Sequence, residues 1–275
     1  MKKINILFIG NSYSRNLETL MPILGKKLGV KINIANLYYG GCSLYTHYDA
    51  ISNKKNIYEI DTFDFDKNTW TYSPNKTFED IMALYKWDFV SLQQASIFSG
   101  KGSDPSWDYK NKLKKLVFEK INNISQNFKF IWHMTWPYAH NYPEVGGTNL
   151  NLYNKFYGDE VKMYLDIVNE YKKQIIFDND FFNYFPSGHV IFELRYFYLD
   201  KELFAPDAIH LDGKISLFAT ALAAILKIYK PNFWAAKIFS MRKINLNING
   251  KNICYKYSKR DLRFIIKAVK TSLKY

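Results

Sequence analysis

The chain has 275 residues, 48% of them hydrophobic and 18% aromatic, and a net charge of +13. That much apolar material excludes a disordered chain, and this length buries one large core with little left for a second domain. No apolar run reaches about 18 residues, so no transmembrane helix is expected, and two cysteines, Cys42 and Cys254, cannot build a disulfide framework and suit a reducing compartment.

The charge is unevenly spread. Positions 237–275 hold eleven Lys and Arg against one acid, Asp261, whereas the preceding 236 residues carry 27 against 24, or +3. A near-neutral body argues against a nucleic-acid enzyme, whose working cleft must itself be basic.

The start is basic and then apolar, like the beginning of a signal peptide. Positions 4–9 are shorter than the usual apolar region of about 7–15 residues, however, and no small-residue cleavage site follows. The run Ile4, Ile6, Leu7, Phe8 and Ile9 instead reads as a strand buried on both faces of a parallel sheet. It stops at Gly10, and Leu17, Leu20, Met21, Leu24 and Leu28 mark an amphipathic helix behind it. Ser12 therefore lies where a central strand turns towards a helix, among free backbone N–H groups. It is a candidate nucleophile if a base can reach it, and otherwise a tight or phosphate-cradling turn.

Positions 30–37 alternate as strand two and end at Gly40 and Gly41, either a turn needing positive φ or a backbone left bare for close approach. Positions 56–73 read as a hairpin turning near 66–68, an insertion outside the main sheet. A helix over 77–85 leads into strand three, 87–94, which stops at Gln93 and Gln94. The loop 95–107 is rich in Ser, Gly, Asp and Pro, as suits a loop over a site. A helix over 108–124 precedes strand four at 128–134, an aromatic loop at 135–147, a helix over 149–172 and a short strand five at 175–177. A helical stretch carrying Phe192 and Arg195 and a last core helix over 214–229 complete the body. Strands alternating with helices imply an α/β, flavodoxin-like three-layer sandwich, with a parallel sheet of order 2-1-3-4-5 and helices on both faces. Its ligand crevice lies at the carboxyl ends of the strands.

Ser12, the Gly40-Gly41 pair and the Gln93-Gln94 pair all follow such strand ends. The missing base is supplied by Asp207-Ala-Ile-His210, where a carboxylate three residues before an imidazole can fix its tautomer and leave Nε2 facing a hydroxyl. A capping Asp beside a bystander His is the plainer reading of that spacing. The five histidines show no metal-ligand spacing.

These residues carry a resemblance. Gly10-Asn-Ser-Tyr-Ser resembles the first block of SGNH (GDSL-type) hydrolases, Gly-Asp-Ser-x-Ser, with Asn11 where Asp is usual. The stretch Asn36-Leu-Tyr-Tyr-Gly-Gly-Cys-Ser resembles the second block, and Asp207-Ala-Ile-His the fifth. The likeness covers about residues 4–228. The third block departs, with Leu92-Gln-Gln in place of Gly-x-Asn-Asp, and is similar to a poorly characterised branch that also carries a His-x-Thr-Trp-x-Tyr loop, here His133-Met-Thr-Trp-Pro-Tyr.

The resemblance implies a serine esterase removing a small acyl group such as acetyl from a carbohydrate or similar small polar substrate, without metal or other cofactor. Ser12, Asp207 and His210 would be catalytic. The N–H groups of Ser12 and Gly41 would form the oxyanion hole with a glutamine amide, Gln94 by preference over Gln93, because alternation along a strand sends the two to opposite faces. Asn11, Tyr13, Trp136, Tyr138 and Arg195 are candidate substrate contacts, the aromatics as a sugar-stacking rim and Arg195 as an anion site; loop packing and an ordinary ion pair are the plainer readings. An acyltransferase to a glycan with the same triad, and a catalytically silent glycan-binding module, are the alternatives.

The domain expectation is a body over 1–236 and a basic appendage over 237–275. The appendage reads as a hairpin around Asn249-Gly250, then a helix capped by Ser258 and Asp261 with an apolar stripe of Leu262, Ile265, Ile266, Val269 and Leu273. That helix either packs on the body or rests through 258–275 on an anionic membrane, placing a bacterial cytoplasmic protein at the inner membrane surface.

Overall fold

A computed structural model describes residues 1–212, 214–248 and 251–275, with the side chains of 247, 248, 251 and 252 also outside the description. The expected turn at Asn249 and Gly250 thus lies outside the described residues. Seven strands form the main sheet: β1 (Lys2–Gly10), β2 (Val30–Tyr38), β3 (Tyr58–Asp64), β4 (Thr69–Lys76), β5 (Phe89–Leu92), β6 (Lys129–His133) and β7 (Phe181–Phe185), in the order β4-β3-β2-β1-β5-β6-β7. The five strands β2-β1-β5-β6-β7 are parallel and follow the expected 2-1-3-4-5 order. Ile4, Ile6, Leu7, Phe8 and Ile9 of the central β1 are all buried, because helices cover both faces. One group of packed helices comprises Ser12–Glu18, Met21–Leu28, Ser187–Leu194 and Lys214–Ile228; Leu44–Ser52 pairs with Tyr109–Ile121 in another.

Three expectations need correction. The hairpin is not outside the sheet: β3 pairs antiparallel with β2, and β4 with β3. Without it β2 would be an edge with unpaired backbone groups beside the site, and Tyr58, Ile60 and Phe63 would have no core to enter. Strand five is β7, not 175–177, where the preceding helix runs on as a wider turn over Lys172–Ile176. Of that apolar triplet only Ile175 is buried, and Phe177 is 84% exposed. The long helices are also broken. Pro22, in the first turn of Met21–Leu28, splits the helix after β1, and Gly158 (φ +80°) with the capping Asp159 separates Leu150–Phe156 from Glu160–Tyr171.

The appendage has β8 (Lys243–Ile248) antiparallel to β9 (Lys251–Lys256), then the helix Lys259–Ser272. Ser258 Oγ accepts from Asp261 N at 3.0 Å while Asp261 accepts from Ser258 N at 2.9 Å, closing the expected capping box. Leu262, Ile265 and Val269 are buried, and the helix packs on Ser187–Leu194 and Lys214–Ile228. The apolar stripe is therefore covered by the body, and Lys259, Arg260, Arg263, Lys267, Lys270 and Lys274 face outward. The expected boundary at 236 falls inside the helix Trp234–Phe239, and Ile244, Leu246 and Tyr257 belong to the same core as the body. Among the described residues no helix is long and apolar enough to cross a membrane.

Candidate active site

Ser12 opens the helix after β1, and Asn11 caps it, its Oδ1 accepting from Tyr13 N at 3.1 Å. The glycine before it is obligatory for space, since a Cβ at Gly10 would stand 2.5 Å from Ser14 Oγ and 2.8 Å from Gln93 Oε1. His210 Nε2 lies 2.6 Å from Ser12 Oγ, and His210 Nδ1 lies 2.5 Å from Asp207 Oδ2. The other carboxylate oxygen, Oδ1, accepts from the backbone N–H of Ile209 at 3.0 Å and of His210 at 2.9 Å. Burial pushes the Asp207 carboxyl up, but the hydrogen bonds from the His210 ring and from these two N–H groups outweigh it and hold the group below the usual carboxylate range. Asp207 is therefore an anion at neutral pH. A carboxylate accepts only, so the proton between it and the ring sits on Nδ1, and Nε2 is free to accept from Ser12.

Groups remote in sequence from His210 hold its loop in place. Asn16, one turn after Ser12, donates from Nδ2 to Leu211 O and accepts at Oδ1 from Leu211 N, both at 3.2 Å. Trp136 Nε1 donates to Ile209 O at 2.9 Å, and Ala139 N to Ala208 O at 2.8 Å. Ala208 itself is left-handed (φ +59°), a conformation that costs a non-glycine residue about 1–3 kcal/mol and persists only where its surroundings over-determine it. The triad histidine is thus held at three points.

On the other side of Ser12 lies the Tyr39-Gly40-Gly41-Cys42 turn. Gly41 has φ +65° with nothing within 4 Å of where its Cβ would be, so backbone conformation and not space calls for glycine. Asn11 Nδ2 donates to Cys42 O at 3.1 Å, joining the two loops. The two glutamines differ sharply. Gln94 Oε1 accepts from Leu44 N and Ala95 N, and its Nε2 donates to Ser106 Oγ at 2.8 Å. Gln93 Nε2 donates to Asn11 Oδ1 at 2.5 Å, immediately beside Ser12, and Gln93 Oε1 faces His133 Nδ1 at 3.0 Å. Gln93 is thus the one beside Ser12, whereas Gln94, preferred on sequence, is tied to the 95–107 loop and the helix after β2.

A family model described as a domain of unknown function (DUF4886) matches residues 5–267. The chain belongs to the DUF4886 family. It is similar along its whole length to the crystal structure of a DUF4886 family protein from Bacteroides uniformis, with a TM-score of 0.79 at 24% identity, covering 96% of that chain. A candidate SGNH hydrolase from Slackia heliotrinireducens matches 83% of this chain and 100% of its own, with a TM-score of 0.47 at 17% identity. The lipase Lip_vut3 from a goat rumen metagenome matches 82% of this chain and 97% of its own, with a TM-score of 0.43 at 10% identity. No curated protein matches.

The remaining expected substrate contacts lie elsewhere in the DUF4886 chain than a rim. Tyr13, Trp136 and Tyr138 are buried, with Tyr13 stacked on Trp136 at 3.8 Å. They are packing beneath the triad, because a loop this aromatic buries its rings in preference to presenting them to water. Tyr39, at the Gly40-Gly41 turn, is the exposed ring. Arg195 pairs with Asp200 at 2.8 Å and donates to Tyr138 O at 2.8 Å, a structural tie. Asn16 and Ser187 were not singled out by sequence, and His133 only as the first residue of the His-x-Thr-Trp-x-Tyr loop, with no role given to it. Asn16 stands one helical turn after Ser12, a spacing that could have flagged it; a serine after Pro186 carries no such mark. Among the described residues no group of three or more His, Cys, Asp or Glu could hold a metal.

Proposed function

We propose that this DUF4886 chain is a serine esterase of SGNH type. The observation that carries the reading is the unbroken row from Ser12 Oγ to His210 Nε2 at 2.6 Å and from His210 Nδ1 to Asp207 Oδ2 at 2.5 Å. His210 Nε2 takes the Ser12 proton as Oγ bonds to the ester carbonyl carbon, and Asp207 stabilises the imidazolium that forms. The carbonyl oxygen becomes an oxyanion, received by the N–H groups of Ser12 and Gly41 and by the second Nε2 hydrogen of Gln93. Collapse breaks the ester C–O bond, and the leaving alkoxide takes the proton back from His210. Water, deprotonated by His210, then attacks the acyl-Ser12 ester and returns the serine with release of the acid.

The side chains of His210 and Asp207 are 35% and 47% exposed. Water reaches them freely, which favours hydrolysis over transfer to a glycan, a reaction that requires its exclusion. The substrate is a short acyl group, acetyl being the simplest, on a carbohydrate or comparably polar alcohol, with the exposed Tyr39 near the Gly40-Gly41 turn as a ring available to it. The test is to treat the protein with a fluorophosphonate and to screen acetylated sugars and simple acyl esters. Mass added at Ser12 and turnover abolished in Ser12→Ala are expected. An unlabelled protein whose slow turnover survives Ser12→Ala would overturn the reading.

A further inference from the structure

Beneath the triad runs a second row of side chains with no part in the proton transfers. Gln93 follows β5, His133 ends β6, and Ser187 opens the helix after β7, so the row crosses neighbouring strands at their carboxyl ends. All of its members, with Asn11, are buried. The steps are Ser187 Oγ to His133 Nε2 at 3.1 Å, His133 Nδ1 to Gln93 Oε1 at 3.0 Å, Gln93 Nε2 to Asn11 Oδ1 at 2.5 Å, and Asn11 Nδ2 to Cys42 O at 3.1 Å.

Its direction follows from two groups that cannot turn over. The carbonyl of Cys42 only accepts and the N–H of Tyr13 only donates, and Asn11 meets both. Reversing the Asn11 amide would set oxygen against oxygen and N–H against N–H. Its Oδ1 must therefore face Gln93, which must present Nε2 and keep Oε1 for His133. The ring is then protonated at Nδ1, and Nε2 accepts the Ser187 hydroxyl. Burial agrees, holding the imidazole neutral with its pKa down at about 3. Every donor in the row points one way, towards the crevice.

We propose that His133 is a positioning residue: through Gln93 and Asn11 it sets the relation between the Ser12 turn and the Gly41-Cys42 turn, the two backbone segments that would receive the oxyanion. Cys42 is fixed at both ends, its N–H on Tyr39 O at 3.2 Å and its carbonyl on Asn11, so Gly41, in the turn that the Cys42–Tyr39 bond closes, has little freedom. The same row accounts for the paired departures from the SGNH pattern. An Asp at 11 would set a carboxylate oxygen against Cys42 O, whereas Asn11 supplies a donor there, and Gln93 has the length to reach both Asn11 and His133. The proposal rests on the esterase reading.

The experiment measures kcat and KM for p-nitrophenyl acetate, fluorophosphonate labelling and Tm in the wild type, His133→Leu and His133→Asn. His133→Leu should lower kcat about 10²-fold, the loss typical of a displaced oxyanion donor, with KM nearly unchanged. His133→Asn, whose Nδ2–H can stand where Nδ1–H stood, should recover most of that loss although its smaller side chain lowers Tm as well. Equal losses in both variants would make His133 a packing residue, and equal retention would make it irrelevant; either overturns the proposal. Should the variants not fold, 15N NMR of the wild-type ring, assigned through its contacts to Trp136 and Phe185, decides instead. A neutral Nδ1–H tautomer unchanged between pH 8 and pH 5 is expected, and the Nε2–H tautomer overturns the proposal. A wild type that fluorophosphonate fails to label sinks the esterase reading and this one with it, whereas a labelled wild type with undiminished kcat in His133→Leu sinks this one alone.

Discussion

Two rows of hydrogen bonds meet at the turn after β1, and they are built on opposite terms. The Ser12–His210–Asp207 row joins a helix start to a loop, stands partly in water and contains a formal charge. The Asn11–Gln93–His133–Ser187 row sits at strand ends, is buried and is neutral throughout. Each contains an imidazole flanked by one hydroxyl, so composition does not separate them. Their surroundings do. A ring that must gain and lose a proton needs a carboxylate partner and nearby solvent to stabilise the cation, whereas a ring that must only hold an amide in place is best kept where the cation is prohibitively costly. Buried and neutral, the second row stays in one protonation state, while in the proposed mechanism the first gains and loses a proton twice per turnover.

The contrast can be broken most forcefully in the exposed row. Ser12→Ala should cut turnover by about 10⁴-fold or more and leave Tm close to wild type, since it removes a partly exposed hydroxyl; steady-state kinetics with thermal melts check both. Asp207→Asn should cost about 10²–10⁴-fold in kcat, because an amide can no longer fix the ring proton on Nδ1. A smaller effect is expected one row back. Gln93→Leu should lower kcat about 10²-fold. Gln94→Leu, which deprives Leu44 N, Ala95 N and Ser106 of their partner, should act chiefly on stability, by about 1–3 kcal/mol in chemical denaturation.

The smallest effect is on pH dependence. Burial lowers His133 to about 3, against about 6.5 in an unfolded chain. Between these values the unfolded chain binds a proton that the folded one refuses. Stability should therefore fall as pH drops through the unfolded value, and keep falling towards the folded one. The share due to this ring is about 1 kcal/mol per pH unit. Urea unfolding at pH 6 and pH 5 should show His133→Asn losing less stability than the wild type by about that amount; equal slopes would mean that His133 is not buried neutral.

How much of this the sequence held depended on whether the signal was local. The strands β1, β2, β5 and β6 are visible as apolar runs that end at glycine or at polar residues. β7 was hidden because Ile175-Ile-Phe is more apolar than Phe-Phe-Asn-Tyr-Phe, and a short apolar run does not separate a strand from the last turn of a helix. The hairpin was legible as a hairpin, but its pairing with β2 depends on an edge defined only once the sheet exists. In the site, Ser12 and the Asp207–His210 pair could be found because each sits in a compact block. The choice between Gln93 and Gln94 could not: alternation says that the two diverge, not which one meets Asn11. Nor could the burial of Trp136 and Tyr138, since an aromatic loop reads the same whether its rings line a surface or fill a core. Tertiary context decided each of these.

Ser12 and His210 stand 198 positions apart, and the Asn16–Leu211 ties that hold the His210 loop span 195. Closing a loop of that size is slow and must precede any reward from the contacts it brings. The serine turn and its buried amide row can form early, from the first two-thirds of the chain and the start of the helix after β7, whereas the base arrives only when the last core helix docks. During synthesis the proposed nucleophile is thus made first and armed last. A ribosome-bound or truncated chain lacking the 204–211 loop would carry a serine of ordinary reactivity, and hydrolytic competence would appear only on completion of the body.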